Sequence, residues 1–399
     1  MIRIRSRVLA YALCLLSVLP ISALGQINLN PTVSEGFGID IHAWPQGEEA
    51  KMLVDSGARW IRRDLTWEAI EQTKGQYNFS RYDQLMETLQ RYNLHALFIL
   101  GYANKLYDGG SPPHTDAGRQ AFAQWAAASV QHFQGRGVLW EMWNEPDVPG
   151  TAWKMNVEDY IKLALAVGEA VRKIAPNEAY IGPATSLFSY PFLESCFKAG
   201  LLKYWSAVSV HPYRPTQGPE TATANYEYVR GLIKKYAPPN TQIPIICSEW
   251  GYSTKWGVVG DQNNQARIAV RTILSNLANR IPLTVWYDWA PEPDLALVNP
   301  PLHPTPAYAA LRALTSTLGG YRFDRQLPAS SGDYLLQFTD GEKTSIAGWT
   351  TGPPHAVAVP LNNRFRAIGT MGEAVASPPP SGRGISITLT QAPQYVVPQ

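Results

Sequence analysis

The sequence predicts an α/β chain, a (β/α)8 TIM barrel followed by a small C-terminal β-sandwich, and three observations predict it. Short apolar segments alternate with amphipathic ones every ~30 to 50 residues, the rhythm of βα units that close on themselves. Eight of these segments read as strands: residues 36–43, 60–65, 95–100, 138–143, 180–183, 207–210, 244–248 and 283–287. After Gly319-Gly320 the pattern changes to short strands, turns and proline clusters. A chain of 399 residues, 45% hydrophobic and 17% charged, is long enough for one large barrel and an accessory domain.

The first element is a leader. Residues 1–25 read as a secretory signal peptide, with Arg3, Arg5 and Arg7, an apolar stretch from Val8 to Leu19, and small residues Ala23 and Gly25 before a cut at Gln26. That stretch falls short of the roughly 20 residues that span a bilayer. Cys14 lacks the small residue that a lipoprotein site wants before it, so the expected product is a soluble secreted or periplasmic protein with no membrane anchor. Taking the three leader arginines from 34 basic side chains leaves 31 against 32 acidic. A near-neutral chain argues against nucleic acid as a partner.

Residues 26–319 form the expected barrel. Ser80 stands three before Asp83 and Asn156 three before Asp159, each a candidate reciprocal helix cap, and Pro176 and Pro238 follow the helices they end. Tyr160, Leu163, Val167 and Val171 recur at helical spacing and read as a face packed on the barrel. In the expected β-sandwich, residues 320–399, Asp340-Gly341 signals a tight hairpin, and residues 26–33 are candidates for edge pairing. Its single tryptophan, Trp349, points to structural support of the barrel rather than carbohydrate binding. Cys247, in an apolar strand, reads as a buried free thiol. Neither Cys196 nor Cys247 has metal-ligand spacing with a histidine, so no metal or cofactor is expected.

Two glutamates stand at strand tips, in Trp143-Asn144-Glu145-Pro146 and in Cys247-Ser248-Glu249-Trp250. Carboxyl groups from two strands facing one barrel mouth are what glycosidic-bond cleavage needs. Spacing alone does not say which would be nucleophile and which acid/base. Asn144 can donate to a sugar hydroxyl, and Pro146 stops the strand so that Glu145 faces the mouth.

On Asn144-Glu145 and Glu249 the chain resembles the clan A glycoside hydrolases over roughly Gly36 to Leu318, most like families 39 and 5, exopolysaccharide endoglycosidases included. The resemblance implies a retaining β-glycosidase with Glu249 as nucleophile and Glu145 as acid/base. It implies Arg62, in Gly57-Ala-Arg-Trp-Ile-Arg62, as the strand-two arginine beside the nucleophile, with Arg63 on the outer face. It matches His211-Pro212-Tyr213 to the strand-six motif, Tyr213 donating to Glu249 and His211 orienting Glu145 or binding sugar. Trp286 becomes the strand-eight floor of the central sugar subsite, with Trp289 as a weaker outer candidate. His42, Asp64, Tyr102 and Asn104 are expected as further subsite contacts. Gly101-Tyr102-Ala103-Asn104 stands where family 5 places a histidine, which favours family 39.

The expected substrate is a polysaccharide or oligosaccharide, cut by a monomer without cofactor. Aromatics on many tips (Trp44, Trp67, Tyr102, Trp153, Trp256, Trp289) suggest a cleft and internal cleavage. The alternatives are a transglycosylase using the same residues and a carbohydrate-binding barrel without catalysis.

Overall fold

Eight parallel strands close in sequence order into a barrel in the computed structural model: β1 (Phe37–Asp40), β2 (Trp60–Thr66), β3 (His95–Gly101), β4 (Val138–Met142), β5 (Ala179–Ser186), β6 (Ala207–His211), β7 (Ile245–Trp250) and β8 (Thr284–Trp286). The structure describes residues 27–43, 46–148, 152–153, 156–361, 365–376, 380–381 and 384–399. The expected signal peptide and Trp44 lie outside them.

Near-continuous apolar sequence makes these strands buried on both faces. On β3, Leu97 and Ile99 turn into the barrel, where they meet Leu139, Ile181, Ala207, Ile246 and Val285. Ala96, Phe98 and Leu100 alternate outward against the helices. Inward parity therefore also belongs to Glu141, two residues after Leu139. Register aligns Asp40 with Arg62 and Arg62 with Leu97, which places two charges side by side above an apolar plug.

Helices cover the outside, among them α1 (Gly47–Asp55), α2 (Trp67–Ile70), α3 (Ser80–Arg91), α4 (Asp116–His132) and α5 (Val157–Ile174). Tyr160, Leu163, Val167 and Val171 of α5 are buried, and the Asn156 side chain caps the helix by accepting from Asp159 N at 2.9 Å. Ser80 does not cap. It is the first residue of α3, and Asn78 Oδ1 instead accepts from Ser80 N at 3.0 Å, so the turn before the helix is closed by a side chain two residues earlier. Then follow α6 (Tyr190–Lys198), α7 (Thr223–Tyr236), α8 (Gln262–Ala278) and α9 (Pro306–Leu318). Among the described residues no helix is long and apolar enough to cross a membrane.

Beyond α9 the chain turns antiparallel. A six-stranded sheet runs Arg322–Gln326, Asp333–Thr339, Thr344–Thr350, Gln394–Pro398, Phe365–Ile368, Ala374–Val375, and a three-stranded sheet carries His355–Val359, Gly384–Leu389 and Pro380–Ser381. Leu335, Ile346, Val359, Ile385, Ile387 and Val396 form the core of this part. The hairpin is wider than a two-residue turn: residues 340–343 make the loop, closed by Asp340 Oδ1 accepting from Glu342 N and Lys343 N. Thr32 bridges to Arg322, which supplies the edge pairing expected of the N-terminal segment. Trp349 is fully buried, stacked on Tyr334, and its indole donates to Glu220 of the barrel at 2.8 Å. Cys196 and Cys247 are free and buried.

Candidate active site

The site is built from strand tips, and β4 sets it. Past Met142 the backbone enters the left-handed region at Trp143 (φ 66°) and again at Glu145 (φ 47°), each costing roughly 1 kcal/mol for a non-glycine residue. Neighbouring strands hold the turn. Trp143 N donates to Leu100 O at 3.2 Å and Glu145 N to Ala184 O at 3.0 Å, while the Trp143 ring is buried against Tyr102, Phe122 and Trp153. The result swings Glu145 over the barrel mouth.

Arg62, itself fully buried, organises the centre. Its Nε donates to Glu141 Oε2 (2.8 Å), Nη1 to both Asp40 Oδ2 (2.8 Å) and Glu249 Oε2 (2.6 Å), and Nη2 to Asn144 Oδ1 (2.5 Å). Tyr213 donates to the other oxygen of Glu249 at 2.7 Å. His211 Nδ1 lies 3.0 Å from Glu145 Oε1, and its Nε2 lies 3.2 Å from Ser248 Oγ and 3.4 Å from Arg62 Nη2. A guanidinium only donates, so in the neutral ring Nε2 faces it as acceptor and the Nδ1 hydrogen points at Glu145. Arg63 points elsewhere, donating to Ile41 O.

Three carboxyls around one guanidinium set the charge balance. Burial alone would raise Glu249, but His211, Arg62 and the Tyr213 hydrogen bond outweigh it and hold the carboxyl below its ordinary range. Asp40 goes the other way: burial dominates the attraction of Arg62, the Glu249 charge adds to it, and the group rises to about 7. Burial lowers His211, yet Glu249 and the bond to Glu145 raise it on balance.

An oxygen of Glu145, one of Glu249 and a nitrogen of His211 all lie within 4.8 Å of one another. The same three ligand types suit a cation, but Arg62 already occupies the charge of Glu249 at 2.6 Å and would repel one.

Sequence reasoning missed Asp40, Glu141, Ser248 and Tyr287. A charged residue at inward parity in an apolar strand was the available signal for Glu141. Tyr287 is half-buried at the tip of β8, close enough to Glu249 that this charge joins burial in raising its phenol.

Several expected subsite contacts are structural. Trp286 is 0% exposed and has no face open to a sugar, because the segment after β8 folds back and Leu295 O accepts from its indole at 3.2 Å. Trp289 is 2% exposed, bonded to Glu49 and packed against Tyr308. Asn104 is buried, donating to Glu71 O and accepting from Leu106 N, so it fixes its loop. Trp67 and Trp153 are also buried, so of the strand-tip aromatics expected to line a cleft and described by the structure, Tyr102 and Trp256 are half-exposed. His42 stays on the rim, 3.3 Å from Asp288, and Tyr102 donates to Asp64 at 2.8 Å.

The family model that matches this chain is Cellulase (glycosyl hydrolase family 5), over residues 32–292. The chain belongs to that family. It is a clan A glycoside hydrolase, and the tyrosine in place of a histidine after β3 does not remove it from family 5. Solved structures with the same fold carry other family labels. A family 39 glycoside hydrolase from Bacteroides cellulosilyticus WH2 superposes with TM-score 0.79 at 23% identity, covering 93% of this chain and 81% of that one. A GH39 β-xylosidase from Caulobacter crescentus gives 0.69 at 17%, covering 93% and 97%. A GH30 endoxylanase from Clostridium papyrosolvens C71 gives 0.68 at 14%, covering 92% and 96%. No curated protein sequence matches the chain.

Proposed function

We propose that the chain is an exported, retaining β-glycosidase that hydrolyses a polysaccharide internally, with Glu249 as nucleophile and Glu145 as acid/base. The observation that carries this is the approach of the two carboxyls to within 4.8 Å, oxygen to oxygen, with His211 between them. Retaining enzymes hold their carboxyl groups ~5 to 5.5 Å apart, whereas inverting enzymes leave ~6.5 to 9.5 Å for a water.

Glu249, kept ionised by Arg62 and Tyr213, attacks the anomeric carbon as Glu145 gives its proton to the departing oxygen. The glycosyl-enzyme then yields to water, from which Glu145 takes a proton. When Glu249 becomes an ester its charge is lost, but Arg62 keeps Asp40 and Glu141 as partners, so the buried guanidinium is never left alone.

Export rests on the leader-like residues 1–25. A xylan- or glucan-type backbone is the first substrate class to try, given neighbours named as a β-xylosidase, an endoxylanase and a glucanase-xylanase. Internal cleavage rests on Tyr102 and Trp256, on opposite sides of the mouth.

The test is a time course on xylan, β-glucan and mannan with product sizing and with a competing sugar acceptor. A rapid fall in chain length before monosaccharide appears supports the proposal. Monosaccharide from the first time point sinks internal cleavage, and products longer than the substrate indicate glycosyl transfer.

A further inference from the structure

Away from the catalytic mouth, a cavity of about 480 Å³ opens where the C-terminal sheet meets α8 and the turn at Pro219–Ala222. Tyr334 of the sheet lines it, with Glu220, Thr221, Asn264, Arg271 and Thr351. One face of the Tyr334 ring is backed by Trp349, with centroids 4.8 Å apart and planes 7° apart, so the ring is a rigid plate rather than a mobile side chain.

The polar groups say what the plate is for. Glu220 is held on both oxygens: it accepts from Arg271 Nε and Nη2 at 2.6 and 2.8 Å and from the Trp349 indole. Arg271 is 7% exposed, yet among the described residues its Nη1 meets no acceptor, which leaves donors at the cavity wall. Because the ion pair cancels and the other lining groups are neutral, neither an anion nor a cation is favoured. A flat aromatic face beside free donors suits a neutral ring with an apolar C–H face and hydroxyls at its edge.

A chain of contacts links the cavity to the catalytic tips. Gly218 lines it; the adjacent Gln217 O accepts from Tyr252, whose ring meets Trp256, which meets Tyr213, the donor to Glu249.

We propose that this seam between barrel and sheet is a second saccharide-binding site, which holds a neutral glycan chain while another part of it is cut. The inference that one polymer serves both sites rests on the hydrolase reading. Two variants separate the site from the fold: Tyr334→Ala removes the plate, and Thr351→Trp fills the cavity from an exposed position.

Full-length Glu249→Ala protein, unable to cleave, is soaked or titrated with xylohexaose, cellohexaose and mannohexaose and followed by crystallography and NMR. The expected result is a hexaose ring on Tyr334. On the corresponding polymer, each variant in the otherwise wild-type chain should raise KM roughly tenfold, the scale of one lost aromatic contact. Kinetics on a short aryl glycoside should be unchanged. An empty seam with all three hexaoses, or equal losses on polymer and aryl glycoside, overturns the proposal. Seam occupancy in a protein that hydrolyses no glycoside supports it and overturns the hydrolase reading instead.

Discussion

Glu249 is held by Arg62 and Tyr213, and its replacement separates chemistry from folding. Glu249→Ala should stay folded and lose several orders of magnitude in kcat, and azide should restore turnover of an activated aryl glycoside with inverted product. Near-wild-type turnover would remove Glu249 from the nucleophile role. Glu145→Gln should hurt substrates with poor leaving groups far more than dinitrophenyl glycosides, since only the former need a proton in the first step. Equal losses on both would contradict it. Asp40 gives a stability prediction with a definite sign. Its folded value of about 7 exceeds the ordinary 3.8, so the folded chain binds the extra proton and stability falls as pH rises from about 4 to 7. Asp40→Asn should flatten that slope in Tm measured across this range. A slope unchanged in the variant would assign it to another group. Glu249, lowered rather than raised, adds stability that is fully present above its ordinary 4.5 and is lost as pH falls below that value.

At the scale of elements, what was legible was whatever lies in strand and helix period. Asn156 was readable as a cap because its own side chain reaches Asp159 N, whereas Ser80 was pre-empted by Asn78, a local competition that a three-residue spacing cannot show. Asn156→Ala should therefore cost about 1 kcal/mol in chemical denaturation and Ser80→Ala less than about 0.5. Equal costs would show that spacing, not the observed bond, governs these ends. Glu145, Glu249, His211 and Tyr213 could be found because they sit at or just past strand tips beside recognisable neighbours, and Arg62, inside β2, by its place in Gly57-Ala-Arg-Trp-Ile-Arg62. Asp40 carried no such sign and Glu141 only its inward parity, since the partnership of both with Arg62 depends on barrel register across strands distant in sequence. The tryptophans misled for a related reason. Whether Trp286 offers a face to a sugar depends on the segment that folds back over it, and nothing in the strand itself encodes that cover.

For the whole molecule, the C-terminal sheets are joined to the barrel through Trp349, Glu220 and Arg271, all buried. Glu220→Ala strands a buried guanidinium and an indole N–H, and should lower stability by about 3 kcal/mol or more while kcat on an aryl glycoside holds. A loss of kcat without a loss of stability would show that the seam governs the chemistry directly. The proposed chemistry requires that the mouth form a covalent glycosyl-enzyme on one particular carboxyl. Incubation with a 2-deoxy-2-fluoro glycoside bearing a good leaving group, followed by peptide mass spectrometry, tests this most directly. One glycosyl adduct is expected on the peptide containing Glu249, and an adduct on Glu145, or inverted product with no adduct, would contradict Glu249 as the nucleophile.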